Sequence, residues 1–209
     1  MLDVRKIRLT LELRESGITN TDVLSAIEKI PRDIFIPNTF KNQAYENIAL
    51  PIGHEQTISQ PYIVALMTQS LSLKKNHKIL ELGTGSGYQS VILSLLVRRV
   101  YTIERIRNLL VKAEKIFKDL KLTNIVTKHG DGNLGWKEQI PFDRIIFTAA
   151  TQTIPKTIFH HLKDEGVLIA PIINKSKQTL IKYTKKDNKI FKEEISEVLF
   201  VPNIEGIKN

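Results

Sequence analysis

Between residues 78 and 170, short apolar runs alternate with longer segments in which apolar residues recur every three or four positions. Strands that alternate with amphipathic helices favour a mostly parallel sheet with helices on both faces. Since parallel crossovers are almost always right-handed, this pattern predicts a doubly wound α/β sheet. The predicted strands are 79–82, 100–104, 125–127, 144–148 and 167–170, and the predicted helices are 88–96, 109–120 and 156–162.

Two further apolar runs follow this core, at 179–183 and 190–201, and a short polar turn joins them. Strands that are joined so directly must be antiparallel. We therefore expect a C-terminal hairpin that adds an antiparallel edge strand to the sheet.

The N-terminal third of the chain has the pattern of helices rather than strands. Thr21 precedes an apolar stripe and Pro31 follows it, so we expect a helix with Thr21 as its N-cap. Ser59 lies two positions before Pro61 and is expected to cap a second helix in the same way. Between the two helices we expect irregular chain over 35–53.

The length of 209 residues fits one domain with a modest extension. No internal repeat and no Gly-rich or Pro-rich linker divides the chain. We predict one compact unit, made of a helical extension over 1–75 and a cofactor-binding α/β core over 76–209.

Composition and charge exclude several function classes. Cysteine is absent, which excludes disulfide frameworks, thiolate metal sites and cysteine nucleophiles. His160 and His161 are adjacent and cannot share a helix face, so we expect no metal site. The formal net charge is +9, but the lysines are scattered and no aromatic residues alternate with them, which argues against nucleic acid as a partner. No apolar run approaches the ~18 residues of a membrane helix, and the N-terminus lacks the apolar segment of a signal peptide, so we expect a cytoplasmic protein without membrane contact.

A glycine loop joins the first predicted strand of the core to the helix that follows. Gly83, Gly85 and Gly87 lie where a doubly wound sheet binds its ligand, and glycine lets a ligand approach the backbone. Glu104 ends the next strand, 104 − 83 = 21 residues after Gly83, where a carboxylate can accept hydrogen bonds from both ribose hydroxyls of an adenosine. The G-x-G-x-G spacing differs from the G-x-G-x-x-G of dinucleotide-binding loops. These features predict a bound adenosine and leave S-adenosylmethionine or a nicotinamide cofactor open.

Motifs around this loop resemble one family over nearly the whole chain. Glu-Leu-Gly-Thr-Gly-Ser-Gly at 81–87 is similar to the first motif of class I S-adenosylmethionine-dependent methyltransferases. Gln-Thr-Ile-Ser-Gln-Pro at 56–61 is more specific and resembles the protein-L-isoaspartate O-methyltransferase family. Further matches, in chain order, are Ala-Tyr-Glu at 44–46, Leu-Pro-Ile-Gly at 50–53, Tyr-Thr-Ile-Glu-Arg at 101–105, Gly-Asp-Gly at 130–132, Pro-Phe-Asp at 141–143 and Phe-Val-Pro at 200–202.

The resemblance implies a Rossmann-like methyltransferase fold and S-adenosyl-L-methionine as cofactor. The substrate that it implies is the free α-carboxylate of L-isoaspartyl residues in damaged proteins and peptides, whose methylation starts repair through a succinimide. Ser59 would be the catalytic residue and would bind substrate together with Thr148 and Ala149. The glycines would line the methionine part of the cofactor and Glu104 its ribose. The full set of implied cofactor-binding residues is Gln56, Thr57, Ile58, Glu81, Gly83, Gly85, Gly87, Glu104, Asp131 and Gly132, the last two against the adenine.

This reaction suits a site without an obvious general base. A carboxylate has a reference pKa near ~4, so it is already a nucleophile at neutral pH. The protein then needs only to hold it in line with the methyl donor and to exclude water, which neutral donors such as Ser59 and Thr57 can help to do. The Pro-Pro-Tyr or Pro-Pro-Phe segment of many N-methyltransferases is missing at 148–151.

Two other hypotheses stay open from the sequence. The same scaffold could methylate a changed substrate, such as a small acid or an RNA, or it could bind the cofactor without catalysis. Two departures from the family pattern bear on the substrate, because Glu55 stands where many members have glycine and Asn47 where many have aspartate. The Glu55 carboxylate is expected to repel an anionic substrate weakly.

Overall fold

A helical N-terminal part precedes a large mixed sheet in the computed structural model, which describes residues 3–208. The helices are α1 (Val4–Glu15), α2 (Thr21–Lys29), α3 (Pro61–Ser70), α4 (Tyr88–Leu96), α5 (Arg107–Asp119) and α6 (Lys156–His161). The strands are β1 (Leu50–Gly53), β2 (Gln56–Ile58), β3 (Lys78–Leu82), β4 (Arg99–Glu104), β5 (Ile125–His129), β6 (Phe142–Phe147), β7 (Leu162–Asn174), β8 (Lys177–Lys186) and β9 (Lys189–Val198). Short 3-10 helices lie at Arg32–Phe35, Asn38–Gln43, Gly132–Leu134 and Lys137–Gln139.

The main sheet has the strand order β5-β4-β3-β6-β7-β8-β9. The five strands β3 to β7 run parallel to one another. β8 runs antiparallel to β7, and β9 runs antiparallel to β8. From β3 the chain winds outward through β4 to β5, returns to the other side of β3 as β6, and continues outward to β7. The predicted doubly wound α/β fold is therefore confirmed.

The C-terminal hairpin predicted at 179–183 and 190–201 is confirmed as β8 and β9, which pair with each other in antiparallel orientation, and β8 also pairs antiparallel with β7. β7 continues to Asn174 and turns through Lys175, at φ 56°, directly into β8. Asp187 and Asn188, at φ 50° and 58°, form the next tight turn. Left-handed residues at such turns suit two-residue hairpins. The prediction located only the fully buried centre of β7.

The extension is helical as predicted, but residues 50–58 form a small antiparallel hairpin, β1–β2, instead of irregular chain. Leu50 and Ile52 of β1 are buried and alternate with exposed residues, which is the strand pattern. His54 and Glu55 make the turn at φ 54° and 60°. Neither is a glycine, asparagine or aspartate, so the usual hairpin signal is missing from the sequence.

The N-cap predictions for two helices are wrong. The N-cap of α2 is Asn20 rather than Thr21, and its Oδ1 accepts hydrogen bonds from the backbone amides of Asp22 at 3.0 Å and Val23 at 3.1 Å. Since either side chain can cap a helix, the sequence alone does not fix the position within one residue.

Helix α3 is capped from a distance. Its N-cap residue is Gln60, not Ser59, and Gln60 makes no capping bond with its own side chain. Instead, Oδ1 of Asn47 accepts a hydrogen bond of 2.9 Å from the backbone amide of Tyr62. Pro61 supplies the fixed φ of the first turn and needs no acceptor. The Ser59 side chain is thereby left out of the cap.

One buried apolar cluster joins the extension to the core. It includes Leu13 of α1, Ile27 of α2, Met67 of α3 and Val91 of α4. Burial of this kind contributes roughly 1.5–3 kcal/mol per large side chain. It holds the extension against the sheet, so that the segment after β2 reaches the carboxyl ends of the parallel strands. Within residues 3–208, none of the helices combines the length and the apolar character that crossing a membrane requires.

Candidate functional site

A cavity lies at the carboxyl ends of β3, β4 and β6, where the winding of the sheet changes direction. Ligands of open α/β sheets bind at such a point. We call it the main cavity. Its lining comes from six regions: 56–59 with α3, the loop after β3 with the start of α4, the end of β4, Gly132 after β5, the residues after β6, and the C-terminal segment. The predicted site residues that line it are Gln56, Thr57, Ile58, Ser59, Gly83, Gly85, Glu104, Gly132, Thr148 and Ala149.

The loop after β3 needs its glycines for backbone and steric reasons. Gly83, Gly85 and Gly87 have φ of 102°, 54° and 85°, a region that other residues rarely adopt. A Cβ on Gly83 would lie 2.2 Å from Oγ1 of Thr148, and one on Gly87 would lie 2.7 Å from the ring of Phe117. Gly83 and Gly85 face the main cavity, whereas Gly87 is the N-cap of α4 and lies outside the lining.

Glu104 ends β4 with its carboxylate fixed at the edge of the main cavity. One oxygen accepts a hydrogen bond from the amide of Gly85 at 2.9 Å, and the other accepts one from the amide of Ile106 at 2.8 Å. The residue is only 5% exposed, yet it belongs to the lining. A carboxylate has two oxygens with about four acceptor positions, so it can still accept hydrogen bonds from a ligand.

Glu81 lies behind the loop instead of on the main cavity. It is fully buried, and its Oε2 accepts hydrogen bonds from Oγ of Ser90 and, at 2.6 Å, from Oγ1 of Thr102. Oγ1 of Thr102 is also 2.6 Å from Oγ1 of Thr84, within the glycine loop. Burial raises the pKa of the Glu81 carboxyl to about 8, although both hydroxyl contacts oppose this shift. Glu81 therefore supports the loop from below as a mainly protonated acid at neutral pH.

Asp131 and Gly132 take different positions at the end of β5. Gly132 lines the main cavity, while Asp131 does not. The carboxylate of Asp131 accepts hydrogen bonds from the amide of Asn133 at 2.8 Å and from the amide of Gly206 at 2.7 Å. Asp131 thus caps a 3-10 turn and ties the C-terminal segment to β5.

The C-terminal segment is a part of the site to which sequence reasoning assigned no role. Residues 200–208, which we call the C-terminal strap, cross the carboxyl ends of the parallel strands. The strap pairs with Ala150 through Val201 and Asn203, with N–O distances of 2.8 and 2.7 Å. It then reaches Arg105, whose carbonyl accepts a hydrogen bond of 2.7 Å from the amide of Lys208. Its first five residues line the main cavity. The Phe-Val-Pro motif was the only sequence signal for this contact.

Thr148 directly follows β6 and lines the main cavity. Its Oγ1 donates to the carbonyl oxygen of Leu82 at 3.0 Å or to that of Gly83 at 2.6 Å. This contact joins the two central strands at the point where they diverge. Ala149 follows it and also lines the main cavity, but it does not line the side groove.

A second opening, the side groove, lies next to the main cavity and shares residues with it. Its lining combines the segment around Ser59 with the end of β9 and the start of the strap. Thr57, Ser59 and Thr148 belong to both openings, so they mark where the two meet. The two openings are therefore contiguous beside Ser59. The side groove is lined by Ala49, Thr57, Ser59, Gln60, Ile63, Thr148, Glu197, Val198, Leu199, Phe200 and Val201.

Metal ligation has no candidate in the part of the chain that the structure describes, because no three His, Asp or Glu side chains there are grouped as metal ligands. The polar groups of the two openings are hydroxyls, amides, carboxylates and the guanidinium of Arg105. This set suits binding of an adenosine-containing ligand and of a small polar group beside it.

Comparison with known proteins links this geometry to one family. The family model described as Protein-L-isoaspartate(D-aspartate) O-methyltransferase (PCMT) matches residues 4–208. A protein-L-isoaspartate O-methyltransferase of Maricaulis maris is 49% identical over 204 residues, which cover 98% of this chain and 96% of that protein. One of Dictyoglomus turgidum is 54% identical over 190 residues, covering 91% of this chain and 86% of that protein. A structure described as this enzyme from Plasmodium falciparum, in complex with S-adenosyl-L-homocysteine, is 25% identical with a TM-score of 0.83 and covers 94% of this chain and 97% of that chain.

Proposed function

The chain belongs to the protein-L-isoaspartate(D-aspartate) O-methyltransferase family, and we propose that its main cavity binds the methyl donor beside Ser59. The protein transfers a methyl group from S-adenosyl-L-methionine to the free α-carboxylate of L-isoaspartyl residues in damaged proteins and peptides. Of the hypotheses that the sequence left open, family membership therefore selects repair methylation.

The main cavity fits S-adenosylmethionine in the chemistry of its residues. Ile103 and Ile106 offer apolar surface for the adenine, and Glu104 offers a fixed charged acceptor for the ribose hydroxyls. Gly83 and Gly85 line this cavity, and glycine lets the methionine part approach the backbone of the loop. When bound, this cofactor supplies a methyl group that its positively charged sulfur activates. The residues of the cavity bind and orient it.

We propose that the substrate carboxylate binds at the junction of the two openings. Ser59 and Thr57 supply hydroxyl donors there, and Thr148 forms the floor between them. The carboxylate is ionised at neutral pH and needs no base, so these donors have only to orient it and to displace water. Ser59 is then the catalytic residue, with Thr148 and Ala149 as substrate-binding neighbours.

The methyl ester that forms explains how methylation leads to repair. Methoxide leaves from an ester far more readily than oxygen leaves from an ionised carboxylate, so the backbone nitrogen of the following residue attacks the ester carbonyl carbon, forms a succinimide and releases methanol. Hydrolysis of the succinimide returns part of the chain to normal aspartate. The protein itself contributes only the methyl transfer. The cytoplasmic location and the absence of a nucleic-acid partner, both expected from the sequence, stay predictions.

The single observation that supports this assignment most strongly is the position of Ser59. It borders both the main cavity and the side groove, and Asn47, not Ser59, caps α3. We therefore expect Ser59→Ala to lower kcat for an isoaspartyl peptide at least tenfold, because the hydroxyl meets the reacting carboxylate. The dissociation constant of S-adenosylhomocysteine, measured by calorimetry, should change by less than about threefold.

Ser16→Ala is the matched control, since its hydroxyl only back-bonds to the carbonyl of Glu12 at the exposed end of α1. It should leave both kcat and cofactor affinity at wild-type values. A folded Ser59→Ala protein with wild-type kcat would contradict the proposed role of Ser59.

A further inference from the structure

Arg32 is a fully buried cation for which the mechanism above has no role. It begins the 3-10 helix Arg32–Phe35 and is 1% exposed. Its guanidinium forms no salt bridge within residues 3–208. Burial lowers its pKa only to about 10, so the group stays charged at neutral pH. Buried charges in proteins are usually paired, and an unpaired one therefore calls for an explanation.

Backbone carbonyls are its hydrogen-bond partners. Nη1 donates to the carbonyl oxygen of Ala44 at 2.7 Å. Nη2 donates to the carbonyl oxygens of Ile48 at 2.9 Å and Ser59 at 3.1 Å. Ile48 precedes β1 and Ser59 follows β2, so one nitrogen fixes both ends of the hairpin that leads into the site. The planar fork of arginine suits this task.

The charge of Arg32 lies directly behind the residue that meets the substrate. Of the described residues that line the side groove, only Glu197 has an acidic or basic side chain, and it pairs with Lys177 at 2.6 Å in exposed positions. The carbonyls that surround Arg32 solvate its charge without neutralising it. A carboxylate bound at the Ser59 hydroxyl would lie at the same residue whose carbonyl oxygen accepts the 3.1 Å hydrogen bond from Arg32.

We propose that Arg32 is a positioning and specificity-determining residue: it fixes the backbone of Ser59 and makes this site favour a carboxylate over a neutral amide. This inference rests on the proposed function, which places the substrate carboxylate at Ser59. Electrostatic attraction across a partly buried site acts only on a substrate that carries the carboxylate. A misplaced Ser59 would instead weaken the binding of the carboxylate and of the amide alike.

The test uses two peptides that differ in one group. The first contains an isoaspartyl residue with its free α-carboxylate, and the second carries the α-carboxamide at the same position. Dissociation constants are measured with the full-length protein saturated with S-adenosylhomocysteine. Arg32→Gln should reduce the preference for the carboxylate peptide about tenfold, while the affinity for S-adenosylhomocysteine changes less than about threefold. Arg32→Lys retains the charge and should keep the preference within about threefold of wild type.

Arg144→Gln is the matched control. Arg144 is also a buried arginine that donates to backbone carbonyls, those of Leu71 at 2.6 Å and Ser72 at 3.2 Å, but it lies toward the amino end of β6. Its loss should destabilise the protein without changing the preference between the peptides.

Two results would overturn the inference. In the first, Arg32→Gln weakens the binding of both peptides equally, which would make Arg32 a purely structural residue. In the second, Arg32→Lys reduces the preference for the carboxylate peptide about tenfold although its charge remains. If Arg32→Gln does not fold, Arg32→Lys alone tests whether the charge sets this preference. A wild-type protein that binds neither peptide is a different result and would refute the proposed function itself.

Discussion

The carboxylate of Glu104 accepts a hydrogen bond of 2.9 Å from the backbone amide of Gly85. This contact joins the last residue of β4 to the loop that follows β3, at the edge of the main cavity. The second oxygen of Glu104 is held by the amide of Ile106 at 2.8 Å. The charged acceptor proposed for the cofactor ribose is therefore fixed before any ligand arrives, and binding need not order it.

Replacement of Glu104 is expected to weaken cofactor binding. Glu104→Ala should reduce the affinity for S-adenosylhomocysteine by about 1–3 kcal/mol, because two ribose hydroxyls and two backbone amides lose a charged acceptor. Glu104→Gln should have an intermediate effect, since an amide retains one acceptor oxygen. Calorimetry measures both, with NAD as a ligand that should not bind. Wild-type affinity in Glu104→Ala, or tight binding of NAD, would contradict this assignment.

Gly83 should not tolerate even one methyl group. Gly83→Ala combines φ of 102° with a Cβ 2.2 Å from Oγ1 of Thr148. We therefore expect strain and overpacking together to lower the free energy of unfolding by about 2–5 kcal/mol. Gly17→Ala is the control, because Gly17 has φ of 96° and nothing within 4 Å of an added Cβ. It should lose only about 1–2 kcal/mol. Urea unfolding measures both values, and equal losses would show that Thr148 gives way.

Glu81 should make the stability of the protein depend on pH. Its pKa is raised to about 8 in the folded state, above the ordinary value of 4.5. Its contribution to stability is therefore fully present below about pH 4.5 and is lost as pH rises through about 8. Each pKa unit corresponds to about 1.4 kcal/mol, so the total change is several kcal/mol.

Glu81→Gln removes this titration and keeps the shape of the side chain. The free energy of unfolding of the wild type, minus that of Glu81→Gln, should fall steadily between pH 5 and pH 9. A difference that stays constant over this range would show that Glu81 titrates with the same pKa in the folded and unfolded states.

Glu55 is expected to affect stability more than catalysis. It is exposed at φ 60° in the β1–β2 turn and does not line the main cavity or the side groove. Glu55→Gly should therefore raise the free energy of unfolding by about 1 kcal/mol, because glycine accepts this backbone conformation. Glu55→Ala removes the charge but keeps the strain, so it should give no such gain. For both variants kcat/KM should change less than about twofold at low salt, since exposed charges are well screened. A larger, salt-dependent rise of kcat/KM in both variants would support the electrostatic repulsion of the substrate that the sequence predicts.

The parts of the site that sequence reasoning located are those that depend on local pattern. The glycine loop follows a strand and opens a helix, and the end of β4 comes about twenty residues later, so the positions of Gly83 and Glu104 follow from the order of elements. The same holds for the parallel core, because strands and helices have different periods. The motif at 56–61 placed Ser59 through its resemblance to a family, not through a structural pattern.

The parts that were missed depend on contacts between residues far apart in the chain. Asn47 caps α3 from 15 positions away, and the C-terminal strap reaches Asp131 over 75 positions. Glu81 was predicted to touch the cofactor, but the alternation of side chains along β3 gave no hint that Ser90 and Thr102 would surround it. Arg32 received no role in the sequence analysis, because its three carbonyl partners lie 12 to 27 positions away along the chain. Local propensity cannot reveal such partners.

The proposed role of Ser59 requires that the junction present an isoaspartyl α-carboxylate to the methyl donor in the main cavity. A direct test incubates the wild-type protein and S-adenosylmethionine, labelled in its methyl group, with an isoaspartyl peptide and with its normal aspartyl isomer. We expect label in the isoaspartyl peptide as an ester that base releases as methanol, and only background label in the isomer. Equal labelling of both isomers, or label that base does not release, would contradict it.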